Sequence, residues 1–232
     1  MPQQTFSPAR FCGKCPRASS PQTPWRSRPC GCGASKNTNR ENALPEGETF
    51  VFSDTLGIIN NRRGKAVLSN AGVGRAHFQR LLVLWARGRL PRGLRDTPFP
   101  FTSISVNKGY AAKLHRDSNN LGPSLALAVG NFTGGGLRYW PNDSKQGRVE
   151  QLRGQRRLVL NLKRDGPCVF DGTCGHEVQP FKGERYSLVF FTLSKYKTAI
   201  AAVRRAILQS GADWPSPERL RTLAERLPAL PK

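Results

Sequence analysis

The chain is poor in acidic residues, in histidine and in long apolar runs. Only 15 of its 232 residues are Asp or Glu, and only three are His. No run approaches the roughly 18 to 20 consecutive apolar residues of a membrane helix, so we expect no membrane-spanning segment and no membrane partner. The apolar run of a secretory signal is also missing near the start. We therefore expect a reducing compartment, in which disulfides are disfavoured for the six cysteines.

Positive charge is what the chain has in excess. Lys and Arg total 37, which gives a formal net charge of +22, and 38% of the residues are apolar, which excludes a wholly disordered chain. Residues 41–232 alone hold 30 basic against 15 acidic side chains, so the positive field belongs to the folded part as well. Such a field concentrates polyanions. The composition therefore favours nucleic acid over an acidic membrane surface as the partner, so we expect a nucleic-acid partner and no membrane partner.

Residues 1–45 are predicted to form a separate basic tail. Its first 40 residues contain seven basic side chains, no acid and many Pro, Ser and Gly, a composition that cannot bury a core. Its cysteines suggest a structural Zn(II) site, with incidental thiols in a disordered tail as the alternative. The same acid-free, Arg-rich composition also fits an organellar transit peptide. The four candidate zinc ligands are Cys12, Cys15, Cys30 and Cys32.

Residues 46–232 are predicted to fold as one α+β domain. Helical spacing appears at 75–88 and again at 197–209 and 217–227, whereas the apolar period changes to two over the core, 101–193. Successive short strands with Gly-rich turns and no helix between them favour an antiparallel sandwich or jelly roll over a parallel sheet. The stripe expected to pack the first helix consists of Phe78, Leu81, Leu82 and Trp85.

Two of the three histidines stand where a metal ligand is plausible. In extended backbone, His115 and Asp117 project to the same face, because they are two residues apart. His176 follows 59 residues after Asp117, where a jelly roll can return a strand to the same mouth. Two imidazoles and one carboxylate on one side of an ion suit non-haem Fe(II). A lone His-x-Asp pair also marks a strand end or a surface hydrogen bond, so the motif needs further residues beside it.

Arg185 and Ser187 supply a second set of polar groups on one strand face. The guanidinium can hold a carboxylate through two parallel hydrogen bonds, and the hydroxyl adds a further donor. The alternative is a solvated arginine on an edge strand. The neighbouring Tyr, Leu, Val and Phe residues fit that alternative poorly, because they indicate a buried strand.

Together these residues resemble the Fe(II)/2-oxoglutarate-dependent dioxygenases, which fold as a double-stranded β-helix, a jelly roll of the cupin-like kind. The surrounding sequence is similar to the branch that holds the TET methylcytosine oxygenases and the JBP thymidine hydroxylases. The resemblance covers about residues 101–193. The stretches that carry it are Val106-Asn107, His115-Arg116-Asp117-Ser118-Asn119-Asn120, Gly130-Asn131-Phe132-Thr133-Gly134-Gly135, Phe170-Asp171-Gly172 and Phe181-x-Gly183-x-Arg185-Tyr186-Ser187.

The resemblance implies a role for each candidate side chain. Fe(II) would be the catalytic metal, with 2-oxoglutarate and O₂ as co-substrates, and one asparagine would contact the substrate base. Gly136 departs from the pattern, because an acidic residue is expected there. The implied metal ligands are His115, Asp117 and His176, the implied 2-oxoglutarate ligands are Arg185, Ser187 and Asn107, and the implied substrate contact is Asn120.

The function implied is hydroxylation of a nucleobase methyl group, on 5-methylcytosine or thymine, in DNA more than RNA, with the nucleus as the expected location and an organelle as the alternative. A protein side-chain hydroxylase and a non-catalytic nucleic-acid-binding module are the competing hypotheses. A reacting base must leave the duplex, so a basic rim should hold the flanking phosphates. Candidates for that rim are Arg87, Arg89, Arg92, Arg95, Arg153, Arg156, Arg157, Lys163 and Arg164.

Overall fold

The protein is a mixed α and β structure whose paired strands all run antiparallel. A computed structural model describes residues 34–90, 94 and 99–231. The strands are β1 (Lys36–Asn37), β2 (Val51–Asn60), β3 (Ala66–Leu68), β4 (Ser103–Lys108), β5 (Ser124–Val129), β6 (Phe132–Gly134), β7 (Leu137–Tyr139), β8 (Leu158–Leu160), β9 (Cys168–Phe170), β10 (His176–Val178), β11 (Phe181–Gly183) and β12 (Tyr186–Phe191). The helices are α1 (Asn70–Gly74), α2 (Ala76–Arg87), α3 (Ala201–Gln209) and α4 (Pro217–Ala224).

The strands form one large sheet and two small ones. The large sheet has the order β1-β2-β4-β12-β5-β9, and β3 pairs with the last three residues of β2, Ile58–Asn60. The small sheets have the orders β10-β7-β8 and β11-β6. Strands far apart in sequence are therefore neighbours, and β12 lies between β4 and β5.

The two faces of the large sheet have different surroundings. On one face Ile104, Leu125 and Phe190 pack with Val83 of α2 and Ile207 of α3 in the main hydrophobic core. On the other face small and polar residues alternate with them, because successive side chains on a strand point to opposite sides. Those residues line a cavity and include Ser105, Asn107, Ala126, Ser187 and Val189.

The small sheet β10-β7-β8 covers the second face of the large sheet. Leu137 and Tyr139 of β7 form a second hydrophobic cluster with Phe170 and with Ala126 of β5. Two layers of antiparallel strands thus face each other, and the cavity lies between them. The expected α+β class with an antiparallel strand core is confirmed.

The helices begin and end near the predicted residues, with two differences. The 197–209 segment starts as a short 3₁₀ turn and becomes α3 only at Ala201, and α4 ends at Ala224, before the predicted 227. The prediction for the start of α4 is confirmed, because the Ser216 side chain accepts a hydrogen bond from the Arg219 amide. A 3₁₀ turn at Val149–Gly154 also interrupts the region predicted to lack helical structure.

The predicted stripe of α2 is confirmed for Phe78, Leu82 and Trp85, which pack against the main core, and is wrong for Leu81. Leu81 is 41% exposed, whereas Gln79, Val83 and Ala86 are buried. Gln79 satisfies its buried amide by donating to Ser210 Oγ at 3.1 Å.

The residues just before the predicted domain boundary also pack on the large sheet. Lys36 and Asn37 pair with Phe52 and Val51 of β2, and Ala43 is fully buried. The four candidate zinc cysteines lie outside the described residues, as do Arg92 and Arg95 of the predicted rim. In the part of the chain that the structure describes, no helix is long and apolar enough to cross a bilayer.

The central strands should dominate stability. Ile104 in β4 is fully buried, so Ile104→Ala is expected to lower the free energy of unfolding by about 2 to 5 kcal/mol, through lost burial and a residual cavity. Ile200 is 68% exposed, so Ile200→Ala removes the same atoms from the surface and should change it by less than about 0.5 kcal/mol. Urea unfolding of both variants measures the difference. Equal losses would contradict the assignment of the core.

Candidate metal centre and anion pocket

A cavity of about 370 Å³ lies between the two sheet layers. The large sheet contributes Asn107 and Ser187 to its wall, and the opposite layer contributes His176 and Val178. Arg185 also lines it. The volume is enough for a small organic ligand.

The three predicted metal ligands meet in this cavity. One ligand atom from each of His115, Asp117 and His176 lies within 4.8 Å of the others. The two histidines are brought together by their own backbones, which exchange two hydrogen bonds of 3.0 Å across an isolated antiparallel bridge. The Asp117 carboxylate approaches both rings, with Oδ1 3.6 Å from His115 Nε2 and Oδ2 3.8 Å from His176 Nε2.

The tautomers of both histidines are fixed by backbone carbonyls. His115 Nδ1 donates to the Lys113 carbonyl at 2.7 Å, and His176 Nδ1 donates to the Cys174 carbonyl at 2.9 Å. A carbonyl only accepts, so each Nδ1 carries a proton, and it is the Nε2 atom of each ring that lies near Asp117. Burial, followed by the neighbouring His176, lowers the pKa of His115 to about 4. His115 is therefore neutral near pH 7, in the form that binds metal ions.

Asn120, the predicted substrate contact, lines the cavity and also touches a metal ligand. Its Nδ2 donates to Asp117 Oδ2 at 3.2 Å and so helps to orient the carboxylate. Gly172 leaves room for this pair, because a Cβ there would lie 2.9 Å from Asn120 Nδ2 and 3.3 Å from Asp117 Oδ2. This close approach explains the glycine of the Phe170-Asp171-Gly172 stretch.

An ion pair that sequence reasoning missed ties the two ligand segments together. Arg116, between the first two ligands, holds Asp143 through Nε and Nη2, both at 2.7 Å. Asp143 also accepts from the backbone amide of Gly175, just before His176. Burial opposes ionisation of Asp143, but Arg116 and two backbone amides outweigh it and lower the pKa of the carboxyl. No sequence motif indicates this pairing, since the partners are 27 residues apart.

Arg185 is a buried cation without a counter-ion in the described residues. It is 2% exposed and lies just before β12, where its guanidinium contacts the rings of Phe132 and Phe181 at 5.5 Å. Nη2 donates to the Gly135 carbonyl at 3.3 Å, while Nε has no partner. Burial lowers the pKa of Arg185 to about 10, so it stays charged at neutral pH. A buried charge of this kind requires an anion, and the cavity beside it can hold one.

Gly135 is needed for this placement of the arginine. Its backbone has φ +70°, and a Cβ there would lie 2.9 Å from Arg185 Nε. Gly136, which stands where an acidic residue was expected, also has a local explanation, because a Cβ at this residue would lie 2.6 Å from Gln179 Oε1. The glycine run therefore gives space to neighbours of the cavity.

Asn107 organises a polar network beside Arg185. Its amide nitrogen donates to Ser187 Oγ at 3.3 Å, which leaves the Ser187 hydroxyl proton available to a ligand. Its amide oxygen is already used by neighbours, so Asn107 positions other groups more than it offers this oxygen to a ligand. The donors to that oxygen are Ser53 Oγ at 2.8 Å, Tyr110 OH at 2.9 Å, Ser105 Oγ at 3.1 Å and Arg40 Nη1 at 3.3 Å.

Tyr110 and Arg40 line the cavity and were missed by sequence reasoning. Tyr110 could have been found from its position three residues after Asn107, next to the metal motif. Arg40 could not, because the sequence assigns it to the basic tail. Its described hydrogen bonds go only to neutral oxygens, on Ser53, Ser105 and Asn107. The cavity therefore contains two guanidinium groups and the single carboxylate of Asp117.

No protein-family model and no curated protein matches the chain. Similar solved structures include NgTET1 in complex with 5mC DNA, at 16% identity over 63% of this chain and 62% of that one, with a TM-score of 0.39. A Pseudomonas putida prolyl-4-hydroxylase matches at 20% identity over 67% and 79% of the two chains, with a TM-score of 0.31. A bsmA homologue from Methylobium petroleophilum PM1 matches at 14% identity over 66% and 75%, with a TM-score of 0.32.

Removing the carboxylate should abolish metal binding. We expect Asp117→Ala to bind no Fe(II) or Mn(II) at concentrations that saturate the unmodified protein, because only two of the three ligands remain and the negative charge is lost. Asp165→Ala is the matched control, since this exposed aspartate pairs with Arg164 away from the cavity. Equilibrium dialysis with metal analysis measures the difference. Stoichiometric metal on both variants would refute the assignment of the site.

Removing the buried cation should weaken anion binding and leave the metal site intact. Arg185→Lys keeps a charge but loses the two-pronged geometry, so we expect roughly tenfold weaker 2-oxoglutarate binding, and roughly a hundredfold for Arg185→Met. Calorimetric titration of the Mn(II)-loaded variants gives both affinities, and circular dichroism checks the fold. Unchanged affinity in both variants would show that the anion binds elsewhere.

Proposed function

We propose that the protein is an Fe(II)/2-oxoglutarate-dependent dioxygenase that hydroxylates the methyl group of a nucleobase, 5-methylcytosine or thymine, in DNA. One observation carries the proposal: the metal-ligand set of His115, Asp117 and His176 shares a cavity with the unpaired, buried Arg185. Within this proposal the two strand layers correspond to a double-stranded β-helix. The nuclear location and the zinc at the N-terminal cysteines stay predictions.

The donor set fits Fe(II). Two imidazole nitrogens and one carboxylate converge on one small volume, and three ligands of this kind would leave further positions of the ion open to co-substrates. When bound, the iron would use O₂ and 2-oxoglutarate to insert one oxygen atom into a substrate C–H bond, while the other oxygen atom enters succinate and CO₂ is released. The remaining work of catalysis, which is binding and orientation, belongs to the protein.

The anion pocket fits a short dicarboxylate. Arg185 offers two donors and Ser187 a third for one carboxylate, and the hydroxyl of Ser187 is oriented by Asn107. Phe132 and Phe181 shield this end from water, which strengthens the charge-assisted hydrogen bonds. The other end of the ligand would then be directed to the metal ligands in the same cavity.

The lining of the cavity supports a nucleobase as the substrate. It is rich in side-chain amides, which carry a donor and an acceptor side by side, as the edges of nucleobases do. Asn120 remains our candidate for a direct base contact. The net charge of +22 favours a polyanionic substrate over most peptides. The amides are those of Asn37, Asn39, Asn42, Asn60, Asn119 and Asn120.

Nucleoside mass spectrometry tests this function. Protein with Fe(II), 2-oxoglutarate and O₂ is incubated with DNA that contains 5-methylcytosine, and the expected result is a hydroxymethyl nucleoside formed in proportion to succinate. Asp117→Ala should be inactive and Asp165→Ala active. Turnover with peptides and never with DNA or RNA would mean a protein hydroxylase. Absence of turnover together with absence of 2-oxoglutarate binding would mean a non-catalytic module.

A further inference from the structure

The turn between β2 and β3 carries three basic side chains and begins directly after Asn60, which lines the cavity. Residues 61–65 read Asn-Arg-Arg-Gly-Lys and connect two strands that pair up to Asn60 and Ala66. Asn60, the residue just before the turn, lines the cavity together with Ile58 and Ile59. The turn therefore continues the cavity wall into the exposed surface.

The backbone of this turn is held rigidly by its own hydrogen bonds. Asn61 Oδ1 accepts from the backbone amides of Arg63 at 3.0 Å and Lys65 at 2.9 Å. Two further bonds, Asn61 N to Lys65 O at 2.9 Å and Gly64 N to Asn61 O at 2.8 Å, close the loop. Gly64 has φ +69°, which favours glycine. The basic side chains thus start from a fixed frame.

These side chains are exposed and make no ion pair or hydrogen bond to any described residue. Arg62, Arg63 and Lys65 are all exposed, and their charged groups have no recorded partner within the ranges that the structure describes. Lys195 joins them, because a Cβ on Gly64 would lie 2.8 Å from its Nζ. We refer to Arg62, Arg63, Lys65 and Lys195 as the basic turn cluster.

Most of the rim candidates chosen from sequence differ from this cluster, because contacts within the protein already engage them. Arg87 and Arg164 pair with aspartates, and Arg156 and Lys163 donate to backbone carbonyls. Arg89 and Arg157 lie against tryptophan rings. Composition alone could not make this distinction, since it depends on which basic side chains find partners after folding.

Asn60 connects the basic turn cluster to the interior. Its Nδ2 donates to Asn119 Oδ1 at 3.4 Å, while its Oδ1 is buried and has no partner. Asn119 neighbours Asn120, which contacts the metal ligand Asp117. Three asparagines, Asn60, Asn119 and Asn120, therefore connect the residue before the turn to the metal ligand Asp117.

We propose that the basic turn cluster binds the phosphates that flank a target nucleotide of DNA whose base occupies the cavity. The inference rests on the proposed function. A base that reaches the metal ligands must leave its stack, which puts its sugar and the adjacent phosphates at the cavity mouth. The turn that carries the cluster begins directly after the cavity-lining Asn60, and its cations have no partner among the described residues, so they are available to those phosphates.

Fluorescence anisotropy with a labelled oligodeoxynucleotide that contains 5-methylcytosine tests the proposal, in single-stranded and duplex form. The variant R62A/R63A/K65A is expected to bind at least about tenfold more weakly at low salt. Its plot of log affinity against log salt should be shallower by about 2 units, because each lost phosphate contact removes roughly 0.7 to 0.9. The melting temperature and the 2-oxoglutarate affinity should not change.

The matched control is R205A/R219A/R221A, which removes the same charge from exposed positions on α3 and α4 outside the cavity lining. Equal losses in the two triple variants would overturn the proposal, because the effect would be one of net charge. So would absence of salt-dependent DNA binding by the unmodified protein, or tighter binding of an RNA of the same sequence. DNA binding that depends on the cluster without any oxidised nucleoside would overturn the proposed function and leave this site standing.

Discussion

The site depends on the antiparallel bridge between His115 and His176. Their backbones exchange two hydrogen bonds, so the two imidazoles stay together whatever the side chains bind. Arg116 and Asp143 reinforce the bridge, because the carboxylate holds the arginine next to one histidine and the Gly175 amide next to the other. The carbonyl bonds at both Nδ1 atoms then aim the Nε2 atoms at Asp117. The backbone pairing, the ion pair and the hydrogen bonds at Nδ1 therefore all position the same three candidate metal ligands.

The cavity is electrostatically unbalanced in a way that selects its ligands. Arg185 and Arg40 contribute positive charge, and the one carboxylate on the lining, Asp117, is used by the metal site. A buried guanidinium without a counter-ion destabilises the empty protein, and an anion removes that penalty on binding. Relief of the desolvation penalty of Arg185 therefore contributes to the affinity for a dicarboxylate. A neutral ligand of the same shape gains no such advantage.

Sequence reasoning predicted the parts of this site that follow local rules. The spacing of His115 and Asp117 and the strand position of Ser187 follow from period two, and the Ser216 cap follows from helix-end chemistry. It failed where distant partners decide the outcome. The Arg116 ion pair and the position of Arg40 depend on which strands become neighbours, and Leu81 of α2 is left exposed although it belongs to the apolar stripe. No periodicity in one segment carries that information.

The chemistry and the recognition surface arise from different parts of the chain. Every candidate metal and anion ligand lies between residues 107 and 187, whereas the basic turn cluster and most of the cavity amides come from residues 37–65, which comprise the end of β1, the segment after it, β2 and the following turn. The two parts meet through residues 52–57 of β2, which pair with β4, and through Arg40, which bonds to Asn107. Substitutions in the β2–β3 turn therefore leave the candidate metal ligands in place. Substitutions at Arg40 should affect both parts. Arg40 comes from the segment between β1 and β2, and its side chain donates a hydrogen bond to Asn107 beside the anion pocket.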